Sequence, residues 1–441
     1  MKDPSEEDWD RLRRYGSWIR ELRFSELHPD QERISWCSRE LTIGKTVFTQ
    51  LSLTFPTGLV CSGLQKLKWL SSHDWLPSLR HFLSPTLAEI KIFTTPPDGP
   101  LQTPLPSIPV LPGSYLRSLH LTFHPTNDEA FGNSASVTIL QCGAFLEGLQ
   151  TSAQLSEAAV SHLVGLRHLR TLRIGSDPPA GPLLPSSDVF PSLKILILDG
   201  AVGHKWLPFL GAAQGNCSTD GDSRTTEVGM RGSLTNLYCL GGTPVDPAFI
   251  SSLCIFRKLT HVFVDGSCTK GGGCTFLLTD GDLTKLANAL PDIKSLRLGS
   301  PCSANRCRTT ALSLLALSTH CLKLETLEVH FDTTKIARVL DRLFKEPQYE
   351  RMRSLQRCPL QYLAVADTPI STDDVNTVAI HLSGIFHGLQ GFHCRNREWI
   401  EVSRQVQLLS DPGSQTLADA RTVSMILRQL LLYPPQWSAD S

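Results

Sequence analysis

Thirteen cysteines and fourteen histidines are the side chains of this 441-residue sequence best equipped for metal or covalent chemistry. Four of them, Cys268, Cys274, Cys302 and Cys307, could offer thiolates to a tetrahedral zinc ion. Structural zinc pairs usually leave about two to four residues between cysteines; here the gaps are five and four, and no C-x-x-C lies nearby. Ordinary free thiols are the expectation, with no metal site. The run Gly271-Gly272-Gly273 follows Gly266 by five residues. The Gly-Lys-Ser/Thr ending of a phosphate loop is missing, because Lys270 stands before the run rather than after it. Asp280-Gly281-Asp282 opens like a calcium loop but lacks the later oxygen ligands and the bidentate glutamate, so a helix N-terminus accounts for it. The histidines fall singly, and some, such as His320 and His381, sit in helical stretches where a hydrogen-bonded structural role is usual. Neither G-x-S-x-G nor H-E-x-x-H occurs, and no nucleophile, base and orienting group can be assembled. The expectation is a protein that is not an enzyme and takes no cofactor. Pro106-x-x-Pro109 and Pro109-x-x-Pro112 match a polyproline ligand pattern, which a plain proline-rich spacer would equally satisfy.

The elements that carry these residues follow from leucine. It supplies 68 of the residues, a bias that calls for a search for repeats. L-x-x-L-x-L, with aliphatic substitutes, recurs most clearly at Leu116, Leu169, Leu193, Ile293 and Leu324, and more weakly at Ile19, Leu64, Leu87, Leu146, Leu234, Leu259, Leu360 and Leu389. From Leu64 to Leu389 the mean period is near 29.5 residues, at the long end of leucine-rich repeats. In L-x-L both apolar residues point to one face of a short strand, and the leucine three earlier joins them through a turn. Helical patterns lie between the strands, over 155–163, 247–256, 282–290, 309–317, 333–343 and 373–382. Several open on capping residues: Ser156 before Glu157, Thr279 with Asp280, and Ser371 with Asp374 as a capping box.

One strand cannot bury its apolar face alone, so the units must stack. The expected fold class is α/β: a leucine-rich-repeat solenoid of the ribonuclease-inhibitor-like kind, parallel strands on the concave face and helices on the convex face. Residues 1–60 read as an N-terminal lead-in and cap, 61–394 as the solenoid and 395–441 as a C-terminal helical cap, with helical spacing over 399–409 and 422–432. The Gly, Ser, Thr and Asp tract 211–232 reads as an exposed, mobile loop. Residues 95–112, with seven prolines, read as a polyproline-type excursion.

In each L-x-L the middle residue points away from the core, toward the concave face. Those positions run Arg23, Lys68, Lys91, His120, Gln150, Arg173, Ile197, Tyr238, Phe263, Arg297, Glu328, Ala364 and His393. A mostly basic stretch gives way to three apolar or aromatic positions, the mixture found in protein-binding hot spots. Arg23, Lys68, Lys91, His120, Arg173, Ile197, Tyr238, Phe263 and Arg297 are therefore the candidate protein-binding residues. The first four cations other than histidine would attract an acidic or phosphorylated segment. The bland alternative is that the charges are merely solvated and that the 211–232 tract folds over the apolar trio.

Composition limits the rest. The 42 basic and 42 acidic side chains cancel, leaving no net field to draw the chain onto nucleic acid or an anionic membrane. No uninterrupted apolar run of 18 residues could span a bilayer. The opening residues lack the apolar segment of an export signal, and an odd, scattered set of cysteines suits reduced thiols, so cytoplasm or nucleus is the expected location.

Several stretches carry a family likeness: Trp9 followed by Tyr15-Gly-Ser-Trp-Ile-Arg-Glu-Leu, Leu64-Gln-Lys-Leu-Lys-Trp, Phe82-Leu-Ser-Pro-Thr-Leu, Tyr115-Leu-Arg-Ser-Leu-His-Leu, Leu155-Ser-Glu-Ala-Ala-Val-Ser-His-Leu and Arg397-Glu-Trp-Ile. The chain resembles fungal F-box and leucine-rich-repeat proteins over nearly its whole length. That resemblance implies a solenoid presenting a protein substrate to a cullin-based SCF ubiquitin ligase, with an N-terminal F-box unit docked on Skp1. The first repeat-like motif already starts at Ile19, so Skp1 is an expected partner only where an F-box is supplied upstream. The alternative is an interaction scaffold or small-GTPase regulator unrelated to ubiquitin transfer.

Overall fold

A computed structural model describes residues 5–25, 60–71, 73–94, 115–123, 129–179, 189–200, 202–213, 230–266, 276–299, 308–329, 331–332, 336–344, 358–365, 370–386, 388–394 and 397–410. Every one of the thirteen leucine motifs read from the sequence runs into a strand, and all strand pairs given by the register are parallel. Two compact units divide the chain, Met1–Gly241 and Gly242–Ser441.

The first unit begins with α1 (Glu6–Gly16) and holds β1 (Glu21–Ser25), β2 (Lys66–Ser71), a 3-10 helix (His73–Phe82), β3 (Glu89–Thr94) and β4 (Ser118–Phe123). It continues through α2 (Glu129–Gln141), β5 (Gly148–Thr151), α3 (Glu157–Val164), β6 (Thr171–Ile174) and β7 (Ile195–Asp199). It closes with α4 (Gly203–Ala213), the single turn α5 (Met230–Ser233) and β8 (Asn236–Leu240). Its strands pair in chain order, β1 with β2 through β7 with β8.

The second unit alternates helices and strands: α6 (Pro247–Leu253), β9 (His261–Val264), α7 (Asp280–Ala289), β10 (Ser295–Leu298), α8 (Ala311–His320), β11 (Thr326–Val329), α9 (Ile336–Phe344) and β12 (Tyr362–Ala364). A 3-10 turn (Thr372–Asp374), α10 (Val375–Ile385), β13 (Gly391–His393) and α11 (Arg397–Ser410) complete it. Strands β9 to β13 pair in chain order, and α6 to α11 each pack on the next helix. The chain is a leucine-rich-repeat fold, built from stacked strand and helix units.

The leucines explain the stacking. Among the described side chains of β2 to β11, exposed or half-exposed residues alternate with buried ones. The inward Leu119, Leu172, Leu196, Leu237 and Leu327 are each 0% exposed, and a buried leucine stabilises by about 1.5–3 kcal/mol. The first leucine of the motif enters the same core, and the residue after it bonds the neighbouring repeat: Arg117 N–H donates to the Ala88 carbonyl at 2.8 Å and Arg170 N–H to that of Glu147 at 2.7 Å. After β7, β8 and β10 the chain turns through Gly200, Gly241 and Gly299, at φ of 74°, 93° and 84°, where a side chain would be strained.

Helix starts follow capping chemistry, with one correction. Ser156 accepts from the Ala159 N–H and Asp246 from that of Phe249, while Thr279 and Asp282 form a reciprocal capping box. The Asp280 carboxylate accepts from the Thr310 N–H at 2.6 Å and its hydroxyl at 2.7 Å. Asp280-Gly281-Asp282 is thus a helix start tied to the next repeat. The capping box expected at Ser371 and Asp374 does not form: neither side chain caps its helix, because a 3-10 turn fills that interval before α10 begins. At the chain's late end α11 buries Trp399 at 0% exposure, beside Phe392 and Phe331. Three further readings, the Thr95–Pro112 excursion, the helical pattern over 422–432 and the cysteine group Cys268, Cys274, Cys302 and Cys307, lie outside the described residues, as does most of the 211–232 tract.

Candidate interaction face

The middle residues of the strands form rows, because the parallel pairs are in register. In the first unit Arg23 lies opposite Lys68, then Lys91, His120, Gln150, Arg173, Ile197 and Tyr238, one residue per strand. In the second unit Phe263 lies opposite Arg297, then Glu328, Ala364 and His393. All but His393, whose side chain is outside the described set, are half-exposed or exposed. All nine candidates therefore share a face with at least one other in their own unit by direct strand pairing, Phe263 with Arg297 in the second.

Electrostatically the rows are more balanced than the middle positions alone suggest. Two residues before each middle position, and two after it, lie further outward residues. Glu89 holds Lys91 at 2.6 Å and reaches Lys66 at 4.0 Å. The hydrogen bond from Lys91 is the largest influence holding the Glu89 carboxyl below its ordinary pKa. Arg23 pairs with Glu21 at 2.8 Å. Arg173 donates from Nε and Nη2 to the two carboxylate oxygens of Asp199 at 2.6 and 3.0 Å, a bidentate geometry that fixes its guanidinium plane. Of the four cations expected to draw an acidic segment, Lys68 alone has no ion-pair partner among the described residues.

His120 sits between Lys91 and Gln150, its Nε2 3.0 Å from the Ser118 hydroxyl. Burial, reinforced by the charge of Lys91, pushes its pKa below the ordinary histidine value, so it is a neutral member of the row at pH 7. Beyond Arg173 the surface becomes apolar. Ile195 and Ile197 on β7 lie directly beside Asn236 and Tyr238 on β8, with Leu240 two residues further along. In the second unit the Arg297 guanidinium carbon lies 4.4 Å from the centre of the Phe263 ring, a cation–π contact. Arg297 Nε is also 3.0 Å from Glu328 Oε2, an ion pair without hydrogen-bond geometry.

Sequence reasoning named the middle row and missed its neighbours. Glu21 and Glu89 were legible, since a period of two puts them on the same face of their own strands as Arg23 and Lys91. Asp199 comes from the strand after that of Arg173, and register alone reveals it. Among the described residues no group of three or more histidine, cysteine, aspartate or glutamate side chains could hold a metal ion, and no helix is long and apolar enough to cross a membrane.

No family model and no curated protein matches this sequence. Among solved structures, an internalin from Listeria monocytogenes overlaps 78% of this chain and 80% of its own, with 11% sequence identity and a TM-score of 0.33. The architecture rests on the strand register, not on so loose a likeness.

Proposed function

We propose that this chain is a non-catalytic protein-binding module that holds a partner polypeptide against the outward faces of its sheets. One observation carries the reading: outward side chains stand in register strand after strand, with half-exposed Ile195, Ile197, Tyr238 and Leu240 grouped beside the bidentate Arg173–Asp199 pair. Ordered charges bordering an apolar centre suit polypeptide recognition. Because Arg23, Lys91 and Arg173 of the row are already paired with carboxylates, the apolar group supplies the affinity and the ion pairs supply register and selectivity.

The test compares affinity purification of the full chain with Tyr238→Ala and Phe263→Ala variants. The partner captured by the parent chain is expected to be lost from one variant or both; undiminished capture by both would reject these faces. A finer reading, the substrate-recognition part of an F-box type SCF ubiquitin ligase acting in cytoplasm or nucleus, rests on the sequence resemblance. Pull-down with recombinant Skp1 separates the two levels. Retention of Skp1 by a form of the protein carrying F-box helices supports the ligase reading, and failure of that form to retain it removes the ligase reading while leaving the faces untouched.

A further inference from the structure

Two rows of side chains run along the edge of the first unit at which β4, β5 and β6 begin, apart from the outward rows. The first row is aromatic. Tyr115, Phe145 and His168 each stand three residues ahead of their strand, in three consecutive repeats. The Tyr115 and Phe145 centroids are 6.3 Å apart, and those of Phe145 and His168 are 6.2 Å apart. Tyr115 is 66% and Phe145 53% exposed, and His168 is exposed too. The repeat does not demand rings there: the same place holds Gly63 and Thr86 in the two preceding repeats and Ser192 and Ser233 in the two that follow. An ordered cluster of exposed aromatic surface marks a contact.

The second row is charged. Arg117, Glu147, Arg170 and Lys194 each stand one residue ahead of β4, β5, β6 and β7, and each backbone N–H after the first donates to the carbonyl of the one before at 2.7 or 2.8 Å. Arg117 lies 3.7 Å from Glu147, whereas Arg170 and Lys194 are exposed and have no ion-pair partner among the described residues. The same place holds Gln65 and Ala88 in the two preceding repeats and Thr235 in the one that follows, so cations and rings coincide in one stretch of the stack. Three cations against one carboxylate, beside apolar anchors, complement a ligand that is acidic and apolar by turns. An extended peptide rises about 3.2–3.4 Å per residue and sends alternate side chains to one side, so every second side chain recurs at about 6.4–6.8 Å. That repeat is close to the 6.3 and 6.2 Å between the rings. A nucleic acid fits less well, because the 42 basic and 42 acidic side chains of the chain cancel and polyanion binding depends on many phosphate contacts.

We propose that this edge binds an acidic peptide segment of a partner protein, extended along the repeats. Apolar side chains at every second position of the peptide rest against Tyr115, Phe145 and His168, and carboxylates between them meet Arg170 and Lys194. This inference does not depend on the outward rows, so its failure leaves them untouched. Its test titrates the full chain into a fluorescein-labelled peptide, Glu-Phe-Glu-Leu-Glu-Phe-Glu, followed by anisotropy. A peptide of the same composition with its three apolar residues adjacent tests the spacing, and one with lysine for every glutamate tests the charge. The alternating acidic peptide is expected to bind at least about tenfold more tightly than either control, and Phe145→Ala to weaken it at least about tenfold through loss of one anchor. Arg170→Glu is expected to weaken it as well, by an amount that shrinks as salt is added. Tyr115→Ser, which places there the residue found at Ser192, serves as a second ring variant should Phe145→Ala melt early. Absence of binding, equal binding of the three peptides, or binding that the ring variants or Arg170→Glu leave unchanged overturns the proposal. So would tighter binding of a single-stranded oligouridylate, or a parent chain that sediments as a dimer until Phe145 is replaced, because the occupant would then be RNA or a second copy.

Discussion

At the scale of single residues, the outward row of the first unit is governed by what each charge finds next to it. His120 is the informative case. Burial and the charge of Lys91 disfavour its protonated form, so the folded protein takes up this proton at lower pH than the unfolded chain, whose histidine titrates near 6.5. Between those two values the unfolded state binds more protons, and stability falls as pH drops through that window. The parent chain is therefore expected to lose more stability between pH 7 and pH 5 than His120→Gln does, read as the shift in urea midpoint. Identical pH dependence in the two proteins would show that the imidazole is not disfavoured on this face. Glu89 acts in the same sense but lower down: its hydrogen bond from Lys91 depresses the carboxyl, so its contribution is lost below that window, as pH falls past ordinary carboxylate values.

At the scale of elements, the strands were legible and the helices only partly so. A strand in this fold needs one period-two apolar pair and a leucine three earlier, and thirteen such motifs gave thirteen strands because the requirement is local. Helices α2 and α4 escaped notice because their sequences argue against them. α2 carries Gly132, Asn133, Ser134 and Ser136, and α4 encloses Pro208, residues of low intrinsic helix propensity. Packing overrides that propensity: Phe131, Ala135 and Ile139 of α2, and Trp206, Leu207 and Leu210 of α4, are all nearly or fully buried. The site was half legible for a related reason: which side chains face outward is a property of one strand, but which charge meets which depends on register between strands. Helix α7 carries a testable link of this non-local kind. Asp280 receives two hydrogen bonds from Thr310, the capping residue of α8, so Asp280→Ala removes a charged acceptor and leaves a neighbouring N–H unmet. A loss of about 1.5–3 kcal/mol is expected, measured by urea denaturation. A loss no larger than that of Asp282→Ala, which disturbs only the capping box within its own helix, would show that Asp280 does not couple the repeats.

At the scale of the whole molecule, the defining property is that each unit hides a continuous run of leucine between its strands and helices, and the buried thiols report on that run. Cys142 and Cys239 in the first unit, and Cys321 and Cys358 in the second, are buried. Burial pushes the thiols of Cys142, Cys239 and Cys321 up to about 12 and that of Cys358 up to about 11. Cys321 and Cys358 also point their sulfurs at carbonyls of the preceding turns, Cys321 at Leu290 and Cys358 at Leu324. Since only the thiolate reacts with alkylating agents, and each pKa unit above the working pH cuts its population about tenfold, these four are expected to resist iodoacetamide at pH 8. In a repeat stack, neighbours support one another, so protection is lost only when the surrounding turns open. Peptide mapping across a urea series should therefore show Cys142 and Cys239 becoming modified over one common range of denaturant, and Cys321 with Cys358 over one common range. Native-state modification of Cys239, whose side chain lies directly behind the half-exposed Tyr238 row, would mean that the inward face of β8 is open to water, and the outward row could then not be held in the register on which binding depends.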